Sequence, residues 1–167
     1  MEMDDLHPAA SEFLSKHSSL FDKHFPPDLD DESMVLKAHL LLEAALRDFT
    51  SNLVAHPQHL DGARFRFTQV LSLAKALCPH DFGALNDLVW TCAKHLNDLR
   101  NTMAHELEPD PSKIAKQQKV IVDVVNARRR ANNTAPTDLR GALAYLFGST
   151  HALFETVLSR MEAKPSE

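Results

Sequence analysis

Apolar side chains recur every three or four positions along most of the chain, with polar residues between them. That spacing predicts helices. It is clearest over residues 85–107, LNDLVWTCAKHLNDLRNTMAHEL. There Leu85, Leu88, Val89, Cys92, Leu96, Leu99 and Met103 form one apolar stripe. The stripe runs into a polar cluster of Arg100, Asn101 and His105 at the helix end.

The same period predicts five further helices. A first runs from Pro8 to Phe25 with Phe13, Leu14, His17 and Phe21 on one side, and Pro26 and Pro27 stop it. A second runs from about Glu32 to Ala55, capped by Asp30 or Ser33. Its stripe is Val35, Ala38, Leu42, Ala45, Leu46, Phe49 and Leu53, and Pro57 breaks the run. A third begins after Asp61-Gly62, with Phe67, Val70, Leu71, Ala74 and Leu77 on one face. Cys78 to Asp81 closes it, and Gly83 starts the turn into the central helix. The segment 106–111 reads as a stop, after which Ser112 is placed to cap a helix reaching about Arg130, with Ile114, Ile121, Val124 and Val125 inward. A last helix, capped by Thr137 or Asp138, reaches about Glu162. Its inward residues are Leu139, Leu143, Leu146, Phe147, Phe154, Val157 and Met161.

No strand is required, and only 4 glycines punctuate the chain, so the fold class is all-α: an antiparallel up-and-down helical bundle of about four core helices plus extra helices. The expected organisation is a tail and accessory helix at 1–30, a helical domain at 31–162 and a polar tail at 163–167. The chain has 167 residues, enough for one domain with a real core. No apolar run approaches the roughly 18 residues that span a bilayer. The acidic start lacks the order of a secretory signal. Cys78 and Cys92 sit inside apolar helical patterns and read as reduced core thiols of a cytoplasmic protein. A net charge of −5 argues against broad nucleic-acid binding and leaves room for a local basic cleft. Ten histidines are many for this length, but none falls in a zinc-site spacing, and no cofactor or metal is expected.

The candidate chemistry sits at Arg100, Asn101 and His105. Two prongs of a guanidinium suit phosphoryl oxygens, and an imidazole accepts a proton near neutral pH. On an ideal helix Arg100 and His105 stand ~140° apart, so convergence requires the helix to end near Ala104 or two subunits to pool residues. The competing structural reading pairs Arg100 with Glu43 inside the bundle and uses His105 as a C-terminal cap. His39, Glu43 and Arg47 follow at four-residue steps on the second helix. Glu43 and Arg47 are spaced for an ion pair. His39 with Glu43 supplies only two potential metal ligands. Arg128, Arg129 and Arg130 form a basic run that suits either a helix dipole or phosphate contact. Arg64 and Arg66 make a second possible patch, flanked by Phe65 and Phe67, of which Phe67 is better used in the core.

The stretch LNDLRNTMAH at 96–105, with its Arg-Asn and a His five residues after the Arg, resembles the HEPN superfamily of small helical bundles. Residues 39–46 look like the preceding family helix. The segment from Phe67 onward is also similar to HEPN-type regulators related to the mannitol operon repressor. The resemblance spans about 33–160. It implies metal-independent RNA cleavage with Arg100, His105 and Asn101 as the catalytic set, and Glu43, His39 and Asn97 supporting. It further implies a homodimer with facing motifs, RNA as substrate, and an antitoxin or other regulatory protein as partner. One departure stands out: catalytic toxin members often carry a Tyr two residues after the His, and this chain has Leu107. The alternative is therefore a non-catalytic dimeric regulator or adaptor.

Overall fold

A computed structural model describes residues 8–106 and 108–162, the last two of these by backbone alone. The expected polar tail at 163–167, the start of the chain, Leu107 and the Met161 side chain lie outside the described residues. Among those described, six α-helices account for the fold and no strand is present. They are α1 (Pro8–His24), α2 (Asp31–Leu53), α3 (Phe67–Leu77), α4 (Ala84–His105), α5 (Pro111–Ala131) and α6 (Leu139–Glu162). Short 3-10 turns at Pro57–His59 and His80–Phe82, unforeseen from the periodicity, carry the chain into and out of α3.

Helix α2 is the hub: it packs against α1, α3, α4 and α6. Its buried arc is accordingly wider than one stripe. Met34 and Leu41 join the expected Val35, Ala38, Leu42, Ala45, Leu46 and Phe49. Phe49 stacks on Phe154 of α6 with centroids 3.8 Å apart, and Trp90 of α4 lies 6.1 Å from the same ring. Three helices thus meet at one aromatic centre, which contributes contact energy beyond simple area burial. The α4 stripe is buried from Leu88 to Leu99, with Leu85 and Met103 partly covered. Cys78 and Cys92 are buried free thiols. Burial pushes them up to about 11 and about 12, so both stay protonated at neutral pH.

Capping chemistry sets the boundaries. Asp30 accepts from the Ser33 amide at 2.8 Å and starts α2. Helix α5 is capped by Asp110 rather than Ser112. The Asp110 carboxylate accepts from both the Ser112 amide and its hydroxyl, because Pro111 takes the first helical position and moves the cap back to Asp110. At the start of α6, Asp138 accepts from the Gly141 amide at 2.9 Å. Thr137 is instead clipped to Asn126 of α5 by two backbone–amide hydrogen bonds. Helix α3 begins at Phe67, several residues later than the Gly62 punctuation suggests. Residues 63–66 form no regular element, Arg66 is extended at φ −69°, ψ 154°, and the Arg47 guanidinium donates to the Phe65 carbonyl at 2.8 Å. That approach brings Phe65 and Arg66 up beside the end of α4.

Candidate functional site

The end of α4 faces the middle of α2 across an open cleft of about 510 Å³. From α4 come Asn97, Arg100, Asn101 and His105; from α2 come His39 and Glu43. The far wall is the α3 approach: Phe65, Arg66, Phe67 and Thr68. All six of the expected catalytic and supporting residues therefore line one space. The reason lies in helix geometry. Asn97, Arg100 and Asn101 are spaced three and four apart, as are Asn101 with His105 and His39 with Glu43, and such spacings share a face.

Arg100 and His105 keep the ~140° offset of a continuous helix, and the two line different parts of the same open cleft. His105 is the last residue of α4, and Glu106 turns extended at φ −106°, ψ 121°. Arg100 is held from the side: its Nη1 donates to the Asn101 Oδ1 at 3.1 Å. Asn101 thus orients the guanidinium. His105 is exposed and makes no hydrogen bond to either residue.

Glu43 does not pair with Arg100. Both its bonds come from Arg47, whose Nε and Nη2 donate to the Glu43 Oε1 at 3.0 and 2.6 Å. The four-residue helical spacing delivers Arg47 directly, and the competing reading of an Arg100–Glu43 anchor is set aside. Arg47 also holds the Phe65 carbonyl, so Glu43 acts through Arg47 on the cleft wall.

His39 is 4% exposed and forms the floor. Its Nε2 sits 3.2 Å from the Asn97 Oδ1, which makes that nitrogen the N–H donor and leaves Nδ1 unprotonated. Nδ1 lies 4.0 Å from Glu43 and has no hydrogen-bond partner. The ring packs on Phe67 at 4.3 Å. Burial lowers the pKa of His39; the Asn97 bond and Glu43 push back, and the Arg100 charge adds to the lowering. The floor is therefore a neutral imidazole at pH 7. Among the described residues no group of three or more His, Cys, Asp or Glu side chains is arranged to hold a metal ion.

The basic run lies elsewhere. Helix α5 begins at Pro111, and Arg128, Arg129 and Arg130 occupy its far end, roughly 25 Å along the axis. None lines the cleft. Arg129 donates to the Ala135 carbonyl at 2.7 Å and lies over the Tyr145 ring, closing the α5–α6 loop. Thr68 was not visible as a site residue in the sequence. Its only signal is its position at the start of a helix that follows an Arg-Phe-Arg run.

Fold and site together define an all-helical bundle with an open, polar, cation-bearing cleft at the end of its fourth helix. Among the described residues no helix is long and apolar enough to cross a membrane. No family model, no curated protein and no solved structure matches the chain.

Proposed function

We propose that the cleft is a metal-independent RNA-cleaving site of the kind found in the HEPN superfamily, which the 96–105 stretch resembles. The observation that carries the reading is the gathering of Arg100, Asn101 and His105 in one water-accessible space. In this reaction the ribose 2′-oxygen attacks the adjacent phosphorus. The P–O2′ bond forms and the P–O5′ bond breaks. His105 takes the 2′-hydroxyl proton, and the departing 5′-oxygen takes a proton from water. Arg100 stabilises the charge on the crowded phosphoryl oxygens. Asn101, its oxygen committed to Arg100, keeps an amide N–H₂ free to donate to the same phosphate. The products are a 2′,3′-cyclic phosphate and a 5′-hydroxyl.

A second reading has its own observation. Leu36 and Leu40 on α2 are exposed at 41% and 53%. Leu36 lines a small apolar depression with Arg100, Met103 and Ala104, beside the cleft. A pair of exposed leucines there suits a second copy of the chain. It supports a dimeric regulatory or adaptor bundle, in which an antitoxin or other regulatory protein is the partner, as much as a nuclease dimer.

The test separates the two readings. Purified protein is incubated with single-stranded RNA in EDTA, with His105→Ala alongside. Cleavage by the native chain alone supports the nuclease; intact RNA across varied substrates leaves the dimeric regulator.

A further inference from the structure

Phe65 stands on a ridge between two spaces. On one side is the cleft of Arg100 and His105; on the other is a depression of about 240 Å³ under the α2–α3 connection, lined by Leu60, Gly62, Leu73 and Arg47. The residue is 37% exposed, one of four large apolar residues left open among those described and the sole aromatic of the four. Phe67, two positions on, is buried against His39. Exposing a ring costs apolar burial, yet the backbone beneath it is fixed. The Arg47 guanidinium grips the Phe65 carbonyl and is itself doubly bonded to Glu43. That clamp also neutralises the carboxylate beside the cleft. Arg64 and Arg66 flank the ring in sequence, and both are exposed. Among the described residues neither Arg66 nor Arg100 forms an ion pair. An exposed aromatic residue on an anchored backbone, lining one cleft with uncompensated guanidinium groups, matches the way single-stranded nucleic acid is held: stacked bases, with cations along the phosphates.

We propose that Phe65 is a base-stacking platform, on which one nucleobase of a single-stranded RNA lies while its adjoining phosphate enters between Arg66 and Arg100. This rests on the nuclease reading for the identity of the ligand. It selects single strands, because a base held within a duplex has no free face to offer.

The probe is a short 2′-O-methyl RNA with a central 2-aminopurine, which lacks the attacking hydroxyl and survives contact with the protein. Native protein is expected to bind it and to change the 2-aminopurine fluorescence on stacking. Phe65→Ala is expected to bind roughly 5- to 100-fold more weakly and lose the fluorescence change. Phe65→Trp should bind at least as tightly as the native chain, which guards against a folding defect. With unmodified RNA, Phe65→Ala should lower kcat/KM, with KM raised by a larger factor than kcat is lowered. Equal affinity of Phe65→Ala and native protein overturns the platform, as does equal affinity of native protein for an abasic probe, or no binding of the probe at all. If the native chain cleaves RNA but its affinity ignores Phe65, the platform falls and the nuclease reading stands. If binding depends on Phe65 while RNA stays intact, the platform stands and cleavage falls.

Discussion

The Asn101 side-chain oxygen accepts a hydrogen bond from the Nη1 of its neighbour Arg100, 3.1 Å away. Adjacent helix residues do not ordinarily face each other. Here the long Arg side chain reaches the neighbouring amide, and both residues line the cleft that His105 also lines. Asn101→Ala should therefore lower RNA cleavage about 10- to 100-fold through misplacement of Arg100. Asn101→Asp should also lose activity, because a carboxylate there would occupy the guanidinium that the phosphate needs. Single-turnover cleavage rates check both; rates equal to the native chain would remove Asn101 from the site.

Because Glu43 is paired with Arg47, Arg100→Ala strands no buried carboxylate. Its cost in stability should stay below ~1 kcal/mol. Arg47→Ala should cost more, ~1–2 kcal/mol, since it frees both Glu43 and the Phe65 carbonyl. Urea denaturation of the two variants gives the ranking. A larger loss for Arg100→Ala would mean that Arg100 is a structural member of the bundle.

A second group of histidines should set the acid stability. His151 lies among Phe13, Phe147 and His17, and its Nε2 has no partner. Burial, with some help from the charge on His17, pushes its pKa down from 6.5 to about 4. The unfolded chain binds this proton near 6.5 and the folded chain does not. Stability is therefore complete above pH 6.5 and falls as pH drops toward 4, by on the order of 3 kcal/mol. Asp48 extends the loss to lower pH. Burial raises its carboxyl pKa, but hydrogen bonds from His17 at 2.9 Å and Lys16 outweigh that and hold it below the usual value. Thermal melts between pH 8 and 4 should show this acid limb. His151→Leu should flatten its upper part, and an unchanged slope in that variant would assign the limb elsewhere.

The helices were readable because burial of one face imposes a three-to-four period, and α4 shows it from Leu88 to Leu99 without interruption. The shared face of Asn97, Asn101 and His105 followed from the same period, whereas the place of Arg100, ~140° from His105 on that helix, did not. Nor did their convergence with His39 and Glu43, because no local rule says which face of α2 meets α4. Partner choice was equally hidden. Glu43 had two candidate arginines, and proximity along its own helix favoured Arg47 over the distant Arg100. The late start of α3 escaped because the hold on residues 63–66 is a tertiary one, made by Arg47 from another helix. Ser112 looked like a cap because serine commonly is one. The Asp110-Pro111 pair outcompetes it, since proline is pre-organised for the first helical position.

The dimer proposed above should depend on the exposed leucines Leu36 and Leu40. Leu36→Glu with Leu40→Glu should leave the fold intact, since both side chains face solvent in the single chain, and should yield a monomer by light scattering. A native chain that is already monomeric at every concentration would remove the second copy from the scheme.

The most direct measurement is end-group analysis of single-stranded RNA incubated in EDTA with the native protein and with His105→Ala. Expected are fragments ending in 2′,3′-cyclic phosphate from the native chain, and none from His105→Ala at an unchanged melting temperature. RNA left whole by the native protein, or cleaved equally by His105→Ala, would contradict a catalytic role for the cleft at the end of α4.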